Sequence, residues 1–127
     1  HSPLGRGFLT GTIRAAEQLP ADDWRRQNPR FQGENMAHNL ALADGVTALA
    51  AARGCTPAQL ALAWLLSRAP QVVPIPGTRS IARLDENAAA AQLVLSADEL
   101  CRIDALLAAT PVAGTRYAAP AMAALNG

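Results

Sequence analysis

Hydrophobic and polar positions divide this chain into an irregular opening stretch, a run of amphipathic helices and a tail. From Asn35 to Arg53 the apolar positions Leu42, Val46, Leu49 and Ala50 recur at helical spacing, and Gly54 stands where a left-handed residue stops a helix. Thr56 announces a second helix as its N-cap, with Pro57 in the first helical position and Gln59 completing a capping box. Its apolar face, Leu60, Ala63, Trp64 and Leu66, runs to Arg68. Val72-Val73-Pro74-Ile75 reads as a short buried strand closed by Pro76-Gly77, although each proline removes a ladder donor. A third helix is expected from Ser80 to Ala91. A fourth starts at Ser96, where Glu99 forms a second capping box, and buries Leu100, Ile103, Leu106 and Leu107. Residues 1–35, punctuated by Gly5, Gly7, Gly11, Pro20 and Pro29, form a long loop with one short helical turn, of the functional or lid-like kind. Residues 111–127 form a loose tail.

A single apolar strand among amphipathic helices, with no second strand to pair with, marks a piece of an α/β protein rather than a whole one. Composition fits one small domain. There are 127 residues, 29 of them Ala, with 11 Arg, no Lys and 4% aromatic residues, so the core must be built from Ala, Leu, Val and Ile. A net charge of +1 removes any bulk electrostatic case for nucleic acid or an anionic membrane. The apolar runs are too short for a membrane span. The start, His-Ser-Pro-Leu-Gly, lacks the basic and apolar regions of a signal peptide, so a soluble, cytoplasmic protein is expected. Cys55 and Cys101 form no CxxC or Cys/His cluster, so no metal site is expected, and both read as small buried residues. His38 is placed on the solvent side of a helix start. Asp22 to Arg26 read as a solvated turn of mixed charge, and Trp64 and Leu65 as core.

The chemistry concentrates in two stretches. In Ile75-Pro-Gly-Thr-Arg-Ser-Ile-Ala-Arg-Leu-Asp-Glu-Asn87 a strand ends, a turn follows and a helix begins, so free backbone N–H groups stand ready for an anion. Arg79 and Arg83 share one face there, against the helix dipole, which points to an anion between them. Glu86 and Asn87 lie on the same face. An ordinary solvated face, with Arg83 and Glu86 as an i,i+3 pair, explains the residues equally well. In Ser2-Pro3-Leu4-Gly5-Arg6-Gly7 the glycines let backbone approach a ligand, but an ordinary tight turn accounts for them too.

The two stretches occur together in a known family. With Ser-Pro-Leu-Gly-Arg-Gly-Phe-Leu-Thr-Gly, Asn-Pro-Arg-Phe-Gln-Gly-Glu-Asn, Gly-Cys-Thr-Pro-Ala-Gln-Leu-Ala-Leu-Ala-Trp and Ile-Pro-Gly-Thr-Arg, the chain resembles the C-terminal part of an aldo-keto reductase of the bacterial general-reductase branch. The resemblance extends to the tail around Gly114-Thr115-Arg116-Tyr117. It implies an α/β fold, the mostly helical C-terminal portion of a (β/α)8 TIM barrel, with residues 1–127 as part of one NADP-dependent oxidoreductase domain. In such a barrel a parallel strand carrying Pro74 and Pro76 loses donors towards one neighbour only. The implied cofactor is NADP(H), laid across the C-terminal face of the barrel, and the implied partner is a small carbonyl substrate. By the same resemblance Ser2, Leu4 and Gly5 hold the pyrophosphate and its ribose. Gly77, Thr78, Arg79, Ser80 and Arg83 clasp the adenosine 2′-phosphate, Glu86 and Asn87 contact the adenine, and His1 takes the place of the aromatic that stacks on the nicotinamide.

The family's catalytic Asp, Tyr, Lys and His come from earlier strands. The chain has no Lys, and its one Tyr, Tyr117, is in the tail. No catalytic residue is therefore assigned, and about half of a barrel of some 250 residues is expected here. The chain alone is expected to be inactive, with the missing N-terminal half as its partner. Two other classes compete: a non-catalytic nucleotide-binding or interaction module, and a truncated gene remnant. An upstream reading frame encoding the earlier strands would separate the first class from these.

Overall fold

A computed structural model describes residues 1–126. Helix α1 spans Gly33–Arg53, α2 Pro57–Arg68, α3 Ile81–Ala89, α4 Ala97–Ala109 and α5 Ala119–Ala123. The caps follow the chemistry of the sequence. Gly54 ends α1 at φ 76, and the Thr56 hydroxyl accepts the Gln59 N–H while the Gln59 side chain returns to the Thr56 N–H. Ser96 and Glu99 make the same reciprocal pair at α4. Each cap satisfies N–H groups that the helix itself leaves free. The expected third helix starts at Ile81 with Ser80 as its N-cap, and continues past Ala89 as a 3₁₀ turn, Ala90–Gln92.

Packing centres on α1, which lies against both α2 and α4. Leu42, Val46 and Ala50 of α1 meet Leu60 of α2 and Ile103 of α4 in one buried cluster. The approach of α4 depends on Gly45, where an added Cβ would stand 2.5 Å from a Leu106 methyl carbon. The other end of α1 anchors the opening stretch. Phe8, Ile13, Leu19 and Phe31 pack with Met36 and Ala43, and the Phe8 and Phe31 rings meet edge to face at 5.1 Å. Residues 1–32 are therefore better organised than one loop with a single turn: four short 3₁₀ turns run through them.

Four expectations need correction. Leu66, expected on the buried face of α2, is 39% exposed, because that face runs through Ala58, Leu60, Leu62 and Ala63. The segment Val72 to Ile75 is extended but forms no strand, and no described residue pairs with it. Nor is it buried, since Val73 is 75% and Ile75 63% exposed. A strand needs a neighbour to receive its hydrogen bonds, and none is supplied by the described residues. Cys101 is exposed rather than buried, because the buried stripe of α4 runs through Ile103. The tail is tied down as far as Arg116: Asn39 bonds both ways to Ala113, and the Arg116 carbonyl accepts from Arg6 and Asn28. Trp64 is half-buried, with its indole N–H donating to Asp104 at 2.8 Å.

Candidate functional site

Two stretches about seventy residues apart wall a single cleft of about 1020 Å³. One wall is the opening loop, with His1, Ser2 and Leu4. The other is the turn and first part of α3, with Gly77, Thr78, Arg79, Ser80, Arg83, Glu86 and Asn87. All of these were singled out from the sequence. The remaining one, Gly5, lies instead on the wall of a smaller cavity next door.

The α3 wall is built locally. The Thr78 hydroxyl accepts the Ser80 N–H at 3.1 Å, which tightens the turn before the helix. The Ser80 hydroxyl then accepts the Arg83 N–H at 3.4 Å as the N-cap. Ile81 and Ala82 follow, with N–H groups that find no acceptor within the helix. Gln59 of α2 donates to the Glu86 carbonyl at 3.1 Å and fixes α3 against the helical core. No described carboxylate pairs with Arg79 or Arg83; the pair of Arg83 with Glu86 expected of a solvated face does not form. Two unpaired arginines at the N-terminus of a nine-residue helix make this wall electropositive.

The opening loop is contorted. Ser2 and Arg6 adopt left-handed backbone at φ 53 and 62, a region that residues with side chains seldom occupy. The Arg6 side chain holds its own turn in place. Its guanidinium lies between the Trp24 ring at 4.9 Å and the Tyr117 ring at 4.6 Å, and donates to the Arg116 carbonyl at 2.6 Å. Arg25 braces the same loop by donating to the Arg6 carbonyl, and Asp23 orients Arg25. That bonding, from the Arg25 side chain first, holds the Asp23 carboxyl down at a pKa of about 2. The stretch from Asp22 to Arg26 is thus a structural brace. His1 sits within 3.1 Å of the Ser2 hydroxyl and 3.4 Å of the Tyr117 hydroxyl.

The sequence reading missed Arg6, Arg30 and Arg116. They are brought together from positions up to 110 apart in the chain, so no local spacing could reveal them. The cysteines add no chemistry. Burial pushes the Cys55 thiol up, away from a reactive thiolate. Among the described residues no cluster of His, Cys, Asp or Glu could hold a metal, and no helix is long and apolar enough to cross a membrane.

The sequence model of the Aldo/keto reductase family matches residues 1–108. The Schizosaccharomyces pombe protein named aldo-keto reductase yakc [NADP(+)] is 41% identical over 117 residues, which is 92% of this chain and 34% of that protein. Probable aldo-keto reductase 1 of Glycine max is 43% identical over the same length, with the same coverage. The glycerol dehydrogenase AKR11B4 from Gluconobacter oxydans superimposes with a TM-score of 0.76 at 28% identity, over 89% of this chain and 34% of that one. The chain thus spans about a third of the length of these relatives, less than the half expected from barrel size.

Proposed function

Since this chain belongs to the aldo/keto reductase family, we propose that it is the C-terminal portion of a (β/α)8 barrel that reduces aldehydes or ketones to alcohols with NADPH, and that it supplies the cofactor cleft. The observation that carries this reading is the convergence of the opening loop and the α3 turn on one cleft, with Arg79 and Arg83 unpaired. The NADP(+) in the name of the yeast relative supports it.

The residues present fit a nucleotide that carries an extra phosphate. A phosphate presents close to two negative charges and three acceptor oxygens. Arg79 and Arg83 offer planar forks of donors, the Thr78 and Ser80 hydroxyls flank Arg79 in sequence, and the first N–H groups of α3 are free. Ser2 and Leu4 are assigned to the pyrophosphate side, Glu86 and Asn87 to the adenine, and His1 to the nicotinamide. Gly5 shapes the turn behind them. When bound, the cofactor supplies a hydride to the carbonyl carbon. The chain's own part is to hold and orient: the α3 wall fixes one end of the dinucleotide, and the loop fixes the other. The proton for the carbonyl oxygen is assigned to no residue of this chain.

Calorimetric titration with NADPH and NADH tests the reading. A charge-assisted hydrogen bond contributes roughly 1.5–3 kcal/mol, so Arg83→Ala should weaken NADPH binding about tenfold to a hundredfold. NADH binding should change far less. Equal losses for both cofactors would make Arg83 a structural residue and remove the phosphate site.

A further inference from the structure

The side chain of Gln59 joins two helix ends. Its Oε1 accepts the Thr56 N–H at 3.1 Å, which is one half of the capping box that starts α2. Its Nε2 donates to the Glu86 carbonyl at 3.1 Å, in the last turn of α3. That carbonyl is open to an outside donor because the helix tightens there into a 3₁₀ turn. The Ala90 N–H goes to the Asn87 and Ala88 carbonyls, so Glu86 holds one of the last carbonyls that a helix leaves without an internal partner. Both ends of the amide are used as their chemistry allows: the oxygen faces an N–H and the nitrogen faces a carbonyl. A glutamate at 59 would complete the capping box equally well. It would not donate to Glu86, because an ionised carboxylate only accepts. The amide at 59 is therefore explained by α3 and not by the cap of its own helix.

The bond stands behind the larger cleft. Ala58, the neighbour of Gln59, lines that cleft, as do Arg83, Glu86 and Asn87 of α3. The opening turn Gly5–Thr10 rests on α1 and α2, and α3 rests on α2. Helix α2 is thus the common base of both walls, and Gln59 is the side chain by which it grips the α3 wall. We propose that Gln59 is a positioning residue: by bonding Glu86 from α2 it sets the spacing between the α3 wall and the opening loop, and so the fit of a ligand that bridges them. Gln59 itself does not line the cleft, so it acts through α3. The proposal rests on the NADPH reading above, in which the dinucleotide spans both walls. A ligand confined to the α3 wall should not feel the spacing, because Thr78, Arg79, Ser80 and Arg83 move with the turn and helix that carry them.

Calorimetry on the 127-residue chain with NADPH and with adenosine 2′,5′-bisphosphate tests the proposal. The bisphosphate carries the adenine, its ribose and the 2′-phosphate, and so only the α3 end of the dinucleotide. Gln59→Glu keeps the capping box and loses the donor. It should weaken NADPH binding about threefold to tenfold and change bisphosphate binding by less than about twofold. NADH bridges the same walls and should weaken in step with NADPH, so the preference between the two stays, whereas Arg83→Ala lowers that preference. Gln59→Met removes both bonds at similar side-chain length. It should give the same split and serves where Gln59→Glu does not fold, as judged by circular dichroism. Equal losses for NADPH and the bisphosphate would show that Gln59 only holds α3 together, and no loss for either would show that the bond positions nothing; both overturn the proposal. If the parent chain binds NADPH no more tightly than the bisphosphate, the opening loop adds nothing, which also overturns the proposal while the phosphate site stands. Binding of neither ligand by the parent chain sinks the NADPH reading itself, and the proposal with it.

Discussion

Two parts of this molecule obey similar sequence rules and reach opposite states. In α1, α2 and α4 the apolar stripes close on one another, and Leu42, Leu60 and Ile103 are each no more than 6% exposed. Between α2 and α4 several large apolar side chains face outward: Ile75 is 63% exposed, Ile81 79% and Val94 81%. The extended segment even alternates as a strand should, with Val72, Pro74 and Pro76 half-buried and Val73 and Ile75 exposed. A helix satisfies its backbone internally and needs only a neighbouring apolar face, which other helices here provide. A strand needs ladder partners, and the described residues offer none. The bare stretch therefore leaves an apolar face without a partner among the described residues, while the α1–α2–α4 wedge holds itself together.

The sharpest way to break this contrast is to make the same truncation in both parts. Leu60→Ala removes a buried side chain from the wedge and should cost about 2–5 kcal/mol. Leu84→Ala on the outer face of α3, where Leu84 is 56% exposed, should cost well under half as much. Urea unfolding followed by circular dichroism reads both. Similar costs would mean that α3 belongs to the same packed unit and that the contrast is false.

The caps sharpen the comparison at smaller scale. Thr56→Ala removes the hydroxyl half of a capping box that starts a well-packed helix, leaving only the backbone N–H of residue 56 bonded to Gln59, and should cost about 0.5–2 kcal/mol. Ser80→Ala removes one longer bond at 3.4 Å from a helix with no reciprocal partner, and should cost less on the same scale. The reverse order would place the stability of the fold at α3.

What the sequence disclosed follows from the range of the forces involved. Both capping boxes, the glycine stop at Gly54 and the bounds of α2 were legible because they depend on neighbours within a few residues. The walls of the larger cleft were legible as two motifs, and folding brought them together. The strand at Val72 to Ile75 was misjudged because burial is set by what packs against a segment, which apolar composition does not reveal. Arg6, Arg30 and Arg116 were invisible for a related reason. Their association depends on the Arg6 turn, the Trp24 and Tyr117 rings and the tail carbonyls, all distant in sequence.

Acid should weaken the two parts unequally. Every ion pair among the described residues joins partners outside 70–94, including Arg25 with Asp23 and Arg68 with Asp104. Asp23 titrates at about 2, below an ordinary aspartate, because Arg25 bonds its charged form. Its contribution to stability is therefore fully present above the unfolded value near 4, and is lost as the pH falls through about 2. The carboxyls of Asp44, Glu99 and Asp104 are lowered too and act in the same direction. The stability gap between the parent chain and Asp23→Asn should be widest near neutral pH and should close between about pH 4 and pH 2. A gap independent of pH across that window would show that the ion pair does not hold the opening loop.

The smallest effect belongs to the bare face. Val94 is 81% exposed and Ile81 79%, so Val94→Ser and Ile81→Ser remove little buried area from this chain. Each should change the unfolding free energy by no more than about 0.5 kcal/mol, as exposed substitutions do. Their effect on association should be larger. An unpaired edge beside a run of exposed apolar side chains favours contact between copies. The double substitution should therefore lower the weight-average mass of the chain in sedimentation while leaving its unfolding midpoint nearly unchanged. In a longer polypeptide that covers this face, the same changes should become costly, because fully burying a Val or Ile side chain is worth roughly 1.5–3 kcal/mol. A loss of several kcal/mol already in the 127-residue chain would mean that these side chains find partners within it, and the two parts would differ in nothing but their helix content.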